Sequence, residues 1–218
     1  MGSDCSAAVE SGLRLEVPGE ARPLTERAAI NARLEDVGAK VWPLSLADVP
    51  DDVRELLDRE RLSDSEQARV VGHFLLSRGR LLEVITEAGR TPHVAGGGAM
   101  HSQVSGHDTG YPRLYLVEDG VDYSRFDRFH VNRADDGTGA DEIMQILSRG
   151  TIVLHQRMAD GEALTLRLDC PSEDSGWLLT YDGGRPHIGS LSGADVGTKI
   201  LMQIIGPPVW AIRYTDDL

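Results

Sequence analysis

The chain has 218 residues, with 35 Asp and Glu against 22 Lys and Arg, for a formal charge of −13 and a pI near 4.9. That balance excludes a function built on phosphate contacts, which needs a basic footprint, and argues equally against an anionic membrane surface. No apolar run approaches the roughly 20 residues that span a bilayer and the N-terminus has no apolar signal-peptide core, so a soluble, cytoplasmic protein with a sizeable core is expected.

Residues 1–24 mix Gly, Pro, Ser and charges without a stable period, and Pro18-Gly19 and Pro23 interrupt any helix, so they read as a mobile lead-in. Residues 25–90 read as a helical segment. Thr25 can cap a helix through Ile30, Leu34 and Val37 that ends near Gly38, and Asp51 and Asp52 after Pro50 suit the first turn of a second. Ser63 and Glu66 have capping-box spacing at the head of a long helix through Val70, Phe74, Leu81 and Ile85 to Gly89. His73 within it reads as structural, and its apolar ridge suits packing on the rest of the chain or a homodimer.

From residue 91 to 218 the pattern changes to Gly-rich turns between short alternating segments, the mark of an antiparallel sandwich or barrel. Strands are predicted at 113–118, 125–132, 142–147, 151–158, 163–169, 177–181, 199–205 and 209–214, with Asp160-Gly161 as a hairpin turn. The fold class is therefore α+β: a helical N-terminal segment followed by an antiparallel double-sheet roll. Cys5 and Cys170 are far apart and neither sits in a Cys-x-x-Cys pair, so neither a structural disulfide nor a common zinc signature is expected.

The candidate chemistry gathers around Arg128-Phe129-His130-Val131-Asn132. Period-two alternation places Arg128, His130 and Asn132 on one strand face, and Glu142 heads the next strand. An imidazole, an amide and a carboxylate that converge could ligate a divalent metal or act as an acid/base pair. His187 lies in a Gly/Pro-rich bend, where a rigid scaffold often presents chemistry, and His155 is a reserve candidate. His93, His101 and His107 fall in a long connection, a lid or plain surface, at spacings that match no standard zinc arrangement. Arg113, Tyr115 and Arg128 alternate cations and phenols that suit an anionic group on a small substrate, although ordinary surface composition reads the same way. Trp177, Trp210, Met144 and Met202 read as packing between sheets.

The order of these residues resembles the cupins, small jelly-roll barrels that usually hold a metal through His-x-His, a carboxylate and a third histidine. Gly120, His130-Val131-Asn132, Glu142 and Gly150 follow the first motif of that family, and Asp182-Gly183-Gly184-Arg185-Pro186-His187 echoes the second. Asn132 stands where the second histidine is expected, the gap to Glu142 is longer than usual, and the proline of the second motif is displaced. The resemblance covers residues 110–218. It implies iron, manganese, nickel or zinc held by His130, Glu142 and His187, with oxygenase or isomerase/lyase chemistry on a small molecule. His130, Glu142 and Tyr181 are the implied catalytic groups; Arg113, Tyr115, Arg128 and Asn132 are the residues read as substrate contacts. Two readings stay open beside it: a metal-free cyclase or lyase that uses a histidine–carboxylate pair, and a non-catalytic small-ligand or assembly module.

Overall fold

The computed structural model describes residues 12–101, 103–104, 107–108, 114–116, 128–148, 150–170, 174–190 and 198–215. In chain order the elements are β1 (Leu13–Glu16), α1 (Arg27–Leu34), β2 (Lys40–Ser45), α2 (Asp51–Leu57), α3 (Asp64–Phe74), α4 (Arg78–Glu87), β3 (Ala99–His101), β4 (Gln103–Val104), β5 (His107–Asp108), β6 (Leu114–Leu116), β7 (His130–Arg133), β8 (Asp141–Ile146), β9 (Gly150–Arg157), β10 (Ala163–Cys170), β11 (Ser175–Asp182), β12 (His187–Ser190), β13 (Lys199–Gly206) and β14 (Ala211–Tyr214). Two antiparallel sheets carry the fold. The first runs β1-β10-β9-β12-β7-β14; the second runs β2-β11-β8-β13-β3, with β6 also paired to β13.

The two sheets differ in how their outer faces are covered, and the sequence encodes the difference. In the first sheet β9 and β10 alternate buried and part-exposed residues, so one face meets the core and the other meets solvent. In the second, β8 and β13 are buried along their whole length. Their inward residues, among them Met144, Ile146, Ile200 and Met202, join Leu13, Leu15, Leu154, Leu166 and Trp177 between the sheets. Their outward residues meet helices: Leu147 and Leu201 pack with α2 and α3, and Ile143 and Ile205 pack with Leu81, Val84 and Ile85 of α4.

Polar residues on that covered face are tied to helix ends. Gln145 Nε2 donates to the Phe74 carbonyl at 2.9 Å, Gln203 bonds both the N–H and the carbonyl of Leu76 at 2.9 and 3.0 Å, and buried Lys199 donates to the carbonyls of Leu57 and Arg59. These carbonyls sit where helices stop and would otherwise lack partners.

Several expectations change. Ser63 and Glu66 do form a capping box, but the long helix is two, broken at Leu75 and Leu76, because Ser77 caps a new start and Gln203 takes the freed backbone groups of Leu76. Leu13–Glu16 is a strand paired with β10 inside the stretch read as lead-in, and β2 lies inside the stretch read as helical, paired with β11. Pro43 is tolerated in β2 because β2 is an edge strand. Strands β3 and β12 were not expected. Among the described residues no helix is long and apolar enough to cross a membrane.

Candidate functional site

The site is built from two cross-strand pairs that face each other between the sheets. His130 on β7 lies directly opposite His187 on β12, with ring centroids 4.4 Å apart. Glu142 on β8 lies opposite Tyr181 on β11, and the Tyr181 hydroxyl donates to Glu142 Oε2 at 2.9 Å. Asn132, two residues after His130 and on the same face, donates from Nδ2 to Glu142 Oε1 at 2.5 Å. His187 Nε2 stands 3.4 Å from that same Oε1. All five line one cavity of about 60 Å³, room for several waters or the head of a small molecule.

Local backbone chemistry delivers these groups. Both histidines occur as Arg-x-His, and in both Nδ1 bonds the arginine carbonyl two residues back: His130 to Arg128 at 2.9 Å and His187 to Arg185 at 2.8 Å. That bond places the proton on Nδ1 and leaves Nε2 as the ring's acceptor. The turn that carries His187 is fixed by Asp182, whose Oδ1 accepts from the Gly184 N–H at 2.9 Å, and it is tied to β7 by Asn132 N–H to the Gly183 carbonyl at 2.7 Å. Gly183 passes so close to Glu142 Oε1 and the Ala140 carbonyl that a Cβ there would collide with both.

Burial sets the electrostatics. It pulls the His187 imidazole down to about 4, against its hydrogen bond to Arg185 and the charge of Asp182, so His187 is neutral at pH 7. Burial also raises Glu142 above the ordinary carboxylate value, opposed by the nearby His130 charge and the bonds from Asn132 and Tyr181. Neighbouring Asp141 points to the opposite face of β8, where it pairs with Arg90 and accepts the His93 N–H at 2.9 Å. Two adjacent acids thus serve different ends because the strand alternates.

The other candidates lie elsewhere. Arg128 is exposed, with its guanidinium 4.3 Å from the Tyr214 ring centroid, outside the cavity lining. His155 points away from the cavity and bonds Thr165 at 3.0 Å, because on β9 the even-numbered residues face inward. His73 is exposed on α3 against Phe74. His93 pairs with Asp182 at 2.6 Å while His101 bonds the Pro207 carbonyl at 2.8 Å, so these two do not gather. Arg113 and the side chains of Tyr115 and His107 lie outside the described residues, as does Gly120. Met144, Met202 and Trp210, read as packing, form part of the cavity wall, while Trp177 is core. The sequence reading missed Ile152, Ile204, Gly189 and Ile212 in that wall.

The donor types, two imidazole nitrogens and a carboxylate, are those that hold iron, manganese, nickel or zinc, and a second-nitrogen bond to a backbone carbonyl is usual for a ligating histidine. Glu142, however, is engaged by Asn132 and Tyr181. Among the described residues no group of three or more His, Cys, Asp or Glu side chains is already arranged to hold an ion.

Two antiparallel sheets packed face to face around this cavity give the chain a cupin-like fold. The solved structure of acireductone dioxygenase from Bacillus anthracis, which has a cadmium ion in its active center, shares that fold with a TM-score of 0.56 over 90% of this chain and 92% of that one, at 12% sequence identity. No protein-family model matches the chain, and no curated protein sequence does.

Proposed function

We propose that the chain is an enzyme of small-molecule metabolism, a cupin-type jelly-roll barrel in which His130, His187 and Glu142 hold a divalent metal ion and act on a substrate seated in the apolar cavity. The observation that carries this reading is the pair of imidazoles pinned through Nδ1 to the carbonyls of Arg128 and Arg185, with a carboxylate 3.4 Å from His187 Nε2. The cadmium in the active center of the fold neighbour supports the same choice of chemistry. When bound, such an ion supplies Lewis-acid polarisation or redox chemistry. The chain's own part is to orient both rings, to keep water out with an apolar wall, and to hold a proton on the Tyr181 hydroxyl beside Glu142. Glu142 would trade its bond from Asn132 for the ion, which frees an amide next to the substrate.

A metal-free reading is favoured by one observation: both oxygens of Glu142 already have donors. In that case His187 and Glu142 form a histidine–carboxylate pair, one member of which accepts a proton while the other donates, as an isomerase, lyase or cyclase requires. Elemental analysis of protein purified without chelators, with His130→Ala and His187→Ala in parallel, separates the two. Near-stoichiometric metal that is lost in both folded variants is the expected result. No metal after reconstitution with iron, manganese, nickel and zinc sinks the first reading and leaves the acid/base pair.

A further inference from the structure

The cavity is lopsided. One end holds the five polar groups described above, and the rest of the wall is apolar, with Met144, Ile152, Met202 and Trp210 among its residues. Hydrogen-bond accounting at the polar end is nearly complete. Both Glu142 oxygens accept, and the Nδ1 of each histidine is spent on a backbone carbonyl. Beyond the ring Nε2 atoms, one buried oxygen has no donor: Asn132 is only 4% exposed, its Nδ2 donates to Glu142, and its Oδ1 has no partner. An amide oxygen left that way is destabilising, and a donor in the cavity removes that cost. Water can supply that donor in the unliganded cavity; a ligand that displaces the water must bring one of its own.

Charge narrows the ligand further. Among the described residues that line the cavity there is no Lys or Arg, and the acid present is Glu142. Without a metal ion in the cavity, an anionic head would meet the Glu142 carboxyl group and no Lys or Arg side chain. An ammonium would have to shed its hydration beside a carboxyl whose two oxygens are already bonded, in an otherwise apolar space. Arg128, one of the arginines that suggested an anionic substrate, is turned to the Tyr214 ring instead.

Resting on the metal-free reading of this cavity as the substrate site, we infer that it takes an uncharged, mainly apolar small molecule with an N–H or O–H donor at its polar end, and that Asn132 reads that donor through Oδ1. Asn132 is then a specificity-determining residue rather than a spare member of the ligand set. The histidine expected there by resemblance to cupins would present a ring nitrogen to a metal; the amide presents one oxygen to the substrate and one N–H to Glu142.

Four near-isosteric probes test this on the full chain after chelator treatment and dialysis: pentanamide, 2-hexanone, pentanoate and pentylamine, by ligand-observed NMR at neutral pH. Pentanamide should bind about three- to tenfold more tightly than 2-hexanone, the difference one neutral hydrogen bond makes, with the two charged probes weakest. Asn132→Leu should erase the advantage of the amide over the ketone; Asn132→Ala serves if the leucine variant does not fold. Gly189→Leu, which adds a side chain at a lining position with open space beside it, should block all four. Tightest binding of pentanoate or pentylamine overturns the inferred ligand class, and an amide preference that survives at Asn132→Leu overturns the role of Asn132, while block by Gly189→Leu still upholds the cavity as the site. Failure of every probe to bind, or binding indifferent to Gly189→Leu, overturns both.

Discussion

His93 and Asp182 show how a single pair can support the site from outside it. Their 2.6 Å contact raises His93; at Asp182 burial acts upward, and the bond and charge of His93 together with Arg90 outweigh it, so its carboxyl is lowered. The signs fix a window. A raised histidine contributes stability that is fully present below its unfolded value of about 6.5 and is lost as pH climbs through the folded value; a lowered aspartate loses its contribution as pH falls below about 3.8. The pair therefore stabilises fully from about pH 4 to about pH 6.5 and fades above. The urea-unfolding difference between wild type and His93→Gln should shrink steadily from pH 6 to pH 8.5. A difference that stays flat over that range would show that the contact carries no titration-linked stability. Asp182 also fixes the Gly184 amide, so this pair holds the turn that delivers His187. Residue by residue, much of the site could be read from sequence: His130, Glu142, His187 and Asn132 all line the cavity. The repeated Arg-x-His was readable too, but its meaning, a ring anchored on the carbonyl two residues back, appears only with coordinates. Arg128 misled because period-two alternation was extended past the start of β7 at His130.

Helices and strands meet through polar residues on a face that sequence patterns describe poorly. Gln203 sits on β13 between Met202, which faces the cavity, and Ile204, and both of its amide atoms bond the Leu76 backbone at the break between α3 and α4. Gln203→Leu keeps the volume and leaves an N–H and a carbonyl of Leu76 without that partner. A loss of about 2 kcal/mol in denaturant unfolding is expected, with the slope of the transition unchanged. Neutral stability in that variant would mean that the helix break is held by packing alone. The same face explains which elements escaped the sequence reading. In β8 and β13 both faces are buried, yet each strand carries polar residues that bond helix ends or the cavity, so their burial does not show as an apolar run; β2 hides its alternation behind Pro43, and β12 is too short to show a period. The helix from Ser63 to Gly89 was overextended because Phe74 and Leu81 stay in helical phase across a gap, while Ser77, the second cap, drew no notice.

At the scale of the whole molecule, the division suggested by composition, with a lead-in to residue 24, a helical segment to residue 90 and a barrel beyond, can be set against how the chain shares its cores. The lead-in supplies β1, which pairs with β10 over Leu13 to Glu16; the helical segment supplies β2, which pairs with β11 from Lys40 to Ser45. Apolar clusters cross the same divisions: Ile30, Leu34 and Val37 join the core between the sheets, and α2, α3 and α4 share two further clusters with residues of β8, β11 and β13. Buried Lys199 adds a polar link, since losing the carbonyls of Leu57 and Arg59 would take two acceptors from an ammonium in the interior. Neither part can open without uncovering apolar surface on the other, which is the condition for cooperative unfolding. Helix loss followed by far-UV circular dichroism and core exposure followed by the fluorescence of Trp177, fully buried between the sheets, should trace one transition with one midpoint once Trp42 and Trp210 are replaced by Phe. An earlier transition in the helical signal would instead mark residues 25–90 as a unit that folds and melts by itself, and the site would then rest on a barrel that stands without it.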